Sequence, residues 1–479
     1  MMILISLVRN KAIALLIGAG GMGFNSLLTS MQNFAFQITN LGISFGAVPR
    51  LSELYEQKDE ARIREYVQVV RLWSMLAALM GLLFCLIISP MANQWAFTWG
   101  DHTLHYAMLG FSVAMMTVCG GETAILKATR QLGLLARAQI GTAVAGLLFS
   151  VPVYYYWRHS GVVPVIVATS AISLVFTMSR SIRIYPFRMR FNRSMFRQGV
   201  HMISLGLSFI IAAAIGSGAD MLVRAFLNVE SGMDDVGLYN AAYMITITYA
   251  GLVFTAMETD YFPRLSAKGG DIVATNETVN KQIEVSLLML APMLVALLAA
   301  LPILIPLLLT AEFLPVVGMA QVAVLAMYFK VLTLPVAYIT LARGYSLSYL
   351  FLETTYYVVF VIAIMLGFKW YGIYGTGVAI VVAHVFDYFL INGYAYWKYG
   401  YRCTWQIGRY ALAQFLLGGI AFAVTLLTDG LVYWAAEAAL TLASTVYSVY
   451  VLRQKTRLWE SLIRKVRNGN PIPRRGNCN

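Results

Sequence analysis

Long apolar runs, each about the length of a membrane-crossing helix and separated by short polar connections, follow one another along the whole chain. A helix that spans the ~30 Å hydrocarbon layer needs about 20 mostly apolar residues. Seven such runs lie near 3–18, 23–46, 67–89, 104–126, 136–157, 161–180 and 203–227. Seven more follow near 237–259, 284–309, 315–341, 346–368, 372–397, 409–427 and 430–452. The pattern predicts an all-α polytopic membrane protein with about 14 transmembrane spans. A signal peptide does not fit the start, because Arg9 and Lys11 interrupt the apolar stretch and no small-residue cleavage site leads into a soluble domain.

The distribution of positive charge tests the count. Lys and Arg gather on the cytoplasmic side of a membrane, so every second connection should be basic. On the side of Arg50, counting about a turn into the helix ends, fall 29 of the 35 basic residues; only Arg158 and Lys369 fall opposite. Arg9, Lys11, Arg224 and Lys330 lie inside spans. One miscounted helix in mid-chain would destroy this alternation. Both termini are therefore expected in the cytoplasm, the C-terminal one as a basic tail over 453–479.

The chain also repeats itself. Pro49-Arg50-Leu51-Ser52 recurs as Pro263-Arg264-Leu265-Ser266, 214 residues later, and each copy follows a glycine, Gly23 or Gly237, by 26 residues. A shared offset is the mark of an internal duplication. The period covers six spans, so two pseudo-symmetric six-helix lobes are expected at 1–198 and 199–400, with two further helices at 401–452. Six is even, so both copies face the same way across the membrane. "ILKATRQ" at 125–131 and "ITLARGYS" at 339–346 extend the match if one residue of shift is allowed.

Composition agrees: 59% of residues are hydrophobic, 12% are charged, and mean hydropathy is +0.70, too apolar for a water-soluble globule. A net charge of +13 on such a chain is a topology signal first, and nucleic acid is not an expected partner. Cys85, Cys119, Cys403 and Cys478 form no metal-spaced pair, so neither a zinc site nor a disulfide scaffold is expected, and no cofactor is.

Fourteen spans in two lobes with two trailing helices resemble the multidrug/oligosaccharidyl-lipid/polysaccharide (MOP) exporter superfamily, and within it the Wzx-type polysaccharide and O-antigen flippases. "LVRNKAIALLIGAGGMGFNSLL" at 7–28, "DVGLYNAAYMI" at 235–245 and "YFPRLS" at 261–266 carry the resemblance. It implies a non-enzymatic flippase of the bacterial cytoplasmic (inner) membrane, moving an undecaprenyl-pyrophosphate-linked oligosaccharide in lipopolysaccharide or other polysaccharide biosynthesis. It also implies alternating access, coupling to a H+ or Na+ gradient, and a polysaccharide polymerase as partner. Such proteins normally have a longer apolar lead-in, so the first helix reads as shortened. Two alternatives remain open: a MATE-type drug/cation antiporter, and a membrane polysaccharide polymerase or ligase. Against the antiporter stand spans 13 and 14 and Lys330; against the enzyme stands the lack of a large extracytoplasmic loop.

Charges in mid-membrane cost about 2.5–3.5 kcal/mol on insertion scales and therefore mark wet cavities or partners. Lys330, Arg9 and Arg224 are the candidate cavity cations for a pyrophosphate, whose oxygens suit the guanidinium fork. Arg9 precedes Gly23 by 14 residues and Arg224 precedes Gly237 by 13, which suggests near-equivalent arginines facing each other across a cleft. The bland alternative is local pairing, since Asp220 and Arg224 stand at i and i+4. The membrane carboxylates are Glu122, Asp220, Glu258, Glu353, Asp387 and Glu437; Glu122, Asp220 and Asp387, the last with His384 one turn earlier, are the ion-coupling candidates. In the repeated tetrapeptide Pro49, Arg50, Pro263 and Arg264 are gate or hinge candidates, the proline ending or bending a helix and the arginine anchoring it at lipid headgroups. "GAGGMG" at 18–23 satisfies a dinucleotide pattern, yet it joins two membrane spans with no acidic residue about 20 positions on, and reads as a tight interhelical turn.

The topology has a direct check. A fluorescent protein that matures only in the cytoplasm should fluoresce when fused after Asn479, and alkaline phosphatase should be active when fused at Arg158; the reverse pattern overturns the orientation.

Overall fold

Without water, backbone N–H and C=O groups must bond within their own segment, so apolar spans become helices. The computed structural model describes residues 2–97, 100–187, 193–268 and 271–454. Among these residues the regular structure is helical: α1 (Met2–Thr39), α2 (Ile43–Glu56), α3 (Glu60–Ala96), α4 (Thr103–Ala128), α5 (Leu132–Trp157), α6 (Val162–Ile184) and α7 (Arg193–Ser231). Then come α8 (Met233–Tyr243), joined through the π-helical stretch Met244–Tyr249 to α9 (Ala250–Ser266), and α10 (Ile272–Leu308), α11 (Val317–Ala342), α12 (Ser346–Tyr399), α13 (Trp405–Leu427) and α14 (Gly430–Gln454). Among the described residues, ten segments are long and apolar enough to cross a membrane. Three of them, Leu4–Thr39, Leu132–Ile184 and Ser346–Tyr399, are each broken in the middle and hold two spans. With these divided, and with α8 and α9 counted as one further span, the expected fourteen are all present. The tail from Lys455 on, Arg188, Arg190 and the Glu258 side chain lie outside the described residues.

Helix boundaries follow local chemistry. Asp59 caps α3, its carboxylate accepting from the Arg62 N–H at 3.1 Å, and Asp271 caps α10 by accepting from the Val273 and Ala274 N–H groups. Lys11 reaches the other end of α10 and donates to the carbonyls of Pro306 and Leu307 at 3.1 and 3.0 Å, a cation at a helix C-terminus. α1 breaks at Gly18, with φ 66° and ψ −167°. The interhelical turn in "GAGGMG" is therefore confined to Gly18: from Ala19 on, the chain is helical again. Glu312 accepts from the freed Ala19 N–H at 3.2 Å.

The backbone carries the duplication more clearly than the side chains do. Gly232, 214 residues after Gly18, repeats its conformation with φ 99° and ψ −178°. Arg158 (φ 47°, ψ −126°) matches Gly372 (φ 58°, ψ −144°), and Arg130 (φ 56°) matches Gly344 (φ 74°), again at 214. The left-handed region is costly for an arginine, so its reuse at Arg130 and Arg158 reflects inherited geometry. These pairs remove the one-residue shift that the sequence comparison of 125–131 with 339–346 invoked, because Ala128 and Ala342 align with no gap.

Equivalent residues also touch. A Cβ on Gly23 would run into the Met233 carbonyl and the Gly237 N–H, and one on Gly237 would run into the Ala19 carbonyl. Met233 is the counterpart of Ala19, so the contact is reciprocal, as at a two-fold axis. Gly20 meets its counterpart Asp234, and Ser26 donates to its counterpart Asn240 at 2.9 Å. Like meets like at three successive heights, which requires the second half of α1 and α8 to run parallel and in register. The axis therefore lies along the helices, as expected for copies facing the same way.

Contacts divide the chain into two compact units, one of Met1–Ile245, Pro302–Met319 and Gly344–Ala383, the other of Thr246–Leu301, Ala320–Arg343 and His384–Asn479. Contact density thus groups the helices differently from the 214-residue period. In the first unit a core of Ile43, Leu51, Leu54, Ile63, Trp73, Ile125 and Met202 joins α2, α3, α4 and α7. Beside it Arg71 and Glu122, both buried, form a bidentate pair at 2.7 and 3.1 Å, while Arg71 also donates to the Tyr185 carbonyl at 2.9 Å at the end of α6. The pair pins α3, α4 and α6 together. Its positions in the second copy, 285 and 336, are both valine, so the pin belongs to one copy alone.

The tetrapeptides pack alike but do not end their helices: α2 continues through Pro49 and α9 through Pro263. Leu51 and Leu265 are buried, whereas Arg50 and Arg264 are exposed and pair along their own helices with Glu53 at 2.6 Å and Asp260 at 3.1 Å. The break in the second span lies earlier, at Leu41 and Gly42, both with positive φ.

Two outcomes are expected. Gly23→Val and Gly237→Val should each lower the unfolding midpoint in detergent by the equivalent of about 1–3 kcal/mol, while Gly133→Val, where a Cβ meets nothing within 4 Å, should change it little. Arg71→Ala should cost about 3–5 kcal/mol by leaving a buried carboxylate alone, and Arg71→Gln with Glu122→Gln should recover most of it.

Candidate functional site

Arg224 of α7 reaches the line where α1 and α8 meet. It is 6% exposed, and its guanidinium binds both members of the axial pair: Nε donates to Ser26 Oγ at 2.5 Å and Nη2 to Asn240 Oδ1 at 3.2 Å. Nη1 donates to the Asp220 carbonyl at 3.1 Å and to the Asp220 carboxylate, and the Tyr239 ring lies 5.8 Å from the guanidinium carbon. An arginine has five N–H donors, and four are engaged here. The helical pairing of Asp220 with Arg224 is thus present, but it is one part of a larger cluster.

The cluster is open on its acidic side. The Asp220 side chain is 37% exposed whereas that of Arg224 is 7% exposed, so the carboxylate shields the cation from open space. An anion that reaches Arg224 must displace Asp220. A cation could approach Asp220 directly. Close packing holds the surroundings: Gly216 leaves room for Tyr357, and Gly218 for Phe34.

The other candidates of the first unit, Arg9 and Glu122, do not join this cluster. Arg9 is exposed on α1, and it is its neighbour Asn10, 214 residues before Arg224, that faces the second copy and donates to Met244 Sδ at 2.8 Å. The two arginines are therefore out of register by one residue, about 100° of helix, and do not face each other. Glu122 is held by Arg71. Lys330 on α11 and Asp387 on α12 are partly buried in the second unit, with His384 buried one turn before Asp387.

Ser26, Asn240 and Arg71 take on roles that the structure makes visible. The first two stand 214 apart, so the period itself could have singled them out as a polar pair on the axis. Arg71 looked like one more basic residue at a cytoplasmic helix end, and nothing in its neighbours points to Glu122, 51 residues away.

Residues 16–318 match the family model described as polysaccharide biosynthesis protein. Among solved structures, a lipid II flippase, MurJ, in an inward closed conformation superposes with a TM-score of 0.73 at 12% identity, covering 95% of this chain and 97% of that one. An inward-facing multidrug resistance MATE family transporter of the MOP superfamily gives 0.63 at 12% identity over 87% and 96% of the two chains. A MOP superfamily transporter from Pyrococcus furiosus, described as having a binding pocket of reverse polarity, gives 0.56 at 13% identity over 89% and 94%. No curated protein matches the chain. The chain belongs to the polysaccharide biosynthesis protein family, as a multi-pass membrane protein with the helical fold that flippases and multidrug transporters of the MOP superfamily share.

Proposed function

We propose that this protein flips a lipid-linked oligosaccharide, carried on undecaprenyl pyrophosphate, across the bacterial cytoplasmic membrane by alternating access. The observation that carries the reading is the Arg224 cluster. A guanidinium is held at the line where the two copies of the fold meet, bonded to one polar residue from each and screened by a partly exposed carboxylate.

A polyanionic headgroup supplies what Asp220 supplies, with more oxygens, and the guanidinium fork accepts either. Exchange of Asp220 for pyrophosphate alters the bonds that tie Ser26 to Asn240, and so links substrate binding to the contact between copies. Lys330, partly buried on α11, and Arg9, exposed on α1, are further candidate cations for the headgroup. Asp220, once released, is free to take up a proton or sodium ion, which gives gradient coupling a place beside the substrate site; Asp387 is a second such candidate. Glu122 is the weakest of the three, because a role in coupling would require its pair with Arg71 to open. Pro49, Arg50, Pro263 and Arg264 hold equivalent positions within α2 and α9 that gate or hinge motions would use. The family and the fold support the reading, as does the reciprocal contact of the two copies.

A drug/cation antiporter is the second reading, favoured by one observation: in this conformation the exposed member of the cluster is acidic. Reconstituted protein separates the two. With a lipid-linked oligosaccharide in proteoliposomes, Arg224→Ala and Lys330→Ala should each slow flipping at least about tenfold, the loss of roughly 1.4 kcal/mol of headgroup interaction. Asp220→Asn should retain headgroup binding. Unchanged flipping in both cation variants overturns the proposal, and cation-driven dye efflux that depends on Asp220 alone would establish the antiporter.

A further inference from the structure

α14 carries an acid that the cluster around Arg224 does not use. Glu437 lies in the second unit and is 1% exposed, and neither of its carboxyl oxygens has a hydrogen-bond partner among the described residues. None of the ion pairs among those residues includes it.

Its surroundings form a built stripe. The buried face of α14 holds Tyr433, Glu437, Ser444 and Ser448, at spacings of one and two helical turns, while Leu431, Val432, Leu442 and Val446 on the other faces are exposed. Most of the stripe is satisfied. Tyr433 donates to the Ala299 carbonyl of α10 at 2.9 Å, Ser444 donates to Gln414 Oε1 of α13 at 2.7 Å, and Gln414 Nε2 donates to Ser448 Oγ at 2.9 Å. Glu437 sits between these bonded groups, about 10 Å along the helix from its Gly430 end, and alone lacks a partner. Tyr433 is the titratable group one turn away; α10 and α13 offer a carbonyl and an amide along the stripe, and α11 offers the buried Gln321, which bonds to Tyr433.

An ionised carboxylate in such a place is strongly disfavoured, whereas a protonated carboxylic acid is neutral and fits. A metal cation fits less well, because hard cations gather several oxygen ligands and no cluster of three or more His, Cys, Asp or Glu exists among the described residues. We propose that Glu437 is a proton-binding site, occupied while the polar stripe of α14 is packed and emptied only when that stripe opens to water. Proton release is then linked to undocking of α14, because each ligation state favours one arrangement. The proposal rests on burial and bonding at α14 and not on the flippase reading.

Full-length protein in detergent tests it in two ways, neither of which reads flipping. Dicyclohexylcarbodiimide, an apolar reagent that attacks protonated carboxyls, should modify Glu437 at neutral pH, as located by mass spectrometry. The modification should fade as pH is raised and be lost in Glu437→Gln. The folded state of the wild type binds a proton that the unfolded chain gives up, so its unfolding midpoint should fall as pH rises, and Glu437→Gln, which mimics the protonated acid, should flatten that fall. Glu437→Gln with the same pH profile as wild type, or a modification that sodium suppresses and pH does not, overturns the proposal.

Discussion

Two parallel helices can bring their backbones into direct contact in register only if neither carries a side chain where they meet. Gly23 and Gly237 supply that condition, and each presses on the backbone carbonyl of the other copy at the equivalent place. Within hydrocarbon there is little hydrophobic force between helices, so close backbone approach at small residues is a main source of association. The axis, the facing polar pair Ser26 and Asn240, and the reach of Arg224 to both follow from that one contact.

The intramembrane charges then sort by how they are neutralised. Arg71 and Glu122 are both buried and saturate each other, which suits a permanent pin. Arg224 is buried but its partner Asp220 is partly open, which suits exchange of one anion for another. Glu437 has no ionic partner among the described residues and is neutral only with a proton. The same chemical groups therefore serve different ends according to exposure, and exposure is set by the fold around them.

Much of the architecture was legible in the residues. Apolar runs and the alternation of basic connections yielded fourteen spans, because span length and loop charge are local properties set by the bilayer. The repeated tetrapeptide revealed the duplication, and its buried Leu51 and Leu265 explain why that spacing persisted. The comparison of 125–131 with 339–346 slipped by a residue because side chains have diverged where the backbone has not: Arg130 now occupies a left-handed position that its counterpart Gly344 adopts freely. Arg9 matches Arg224 only approximately for a related reason: an approximate offset cannot resolve one residue, and one residue turns a side chain to another face of the helix.

By itself the sequence determined the class of protein, the number of spans, their alternation and the period of the repeat, all of which depend on residues close together in the chain or on a simple offset. Tertiary structure decided which charges are paired, which are screened and which are left to hold a proton. Arg71 with Glu122, Arg224 with Ser26 and Asn240, and the isolation of Glu437 each depend on which helix faces are pressed together across long stretches of chain. In a membrane that packing is governed by small residues and shape rather than by any pattern of polarity that a linear reading can detect.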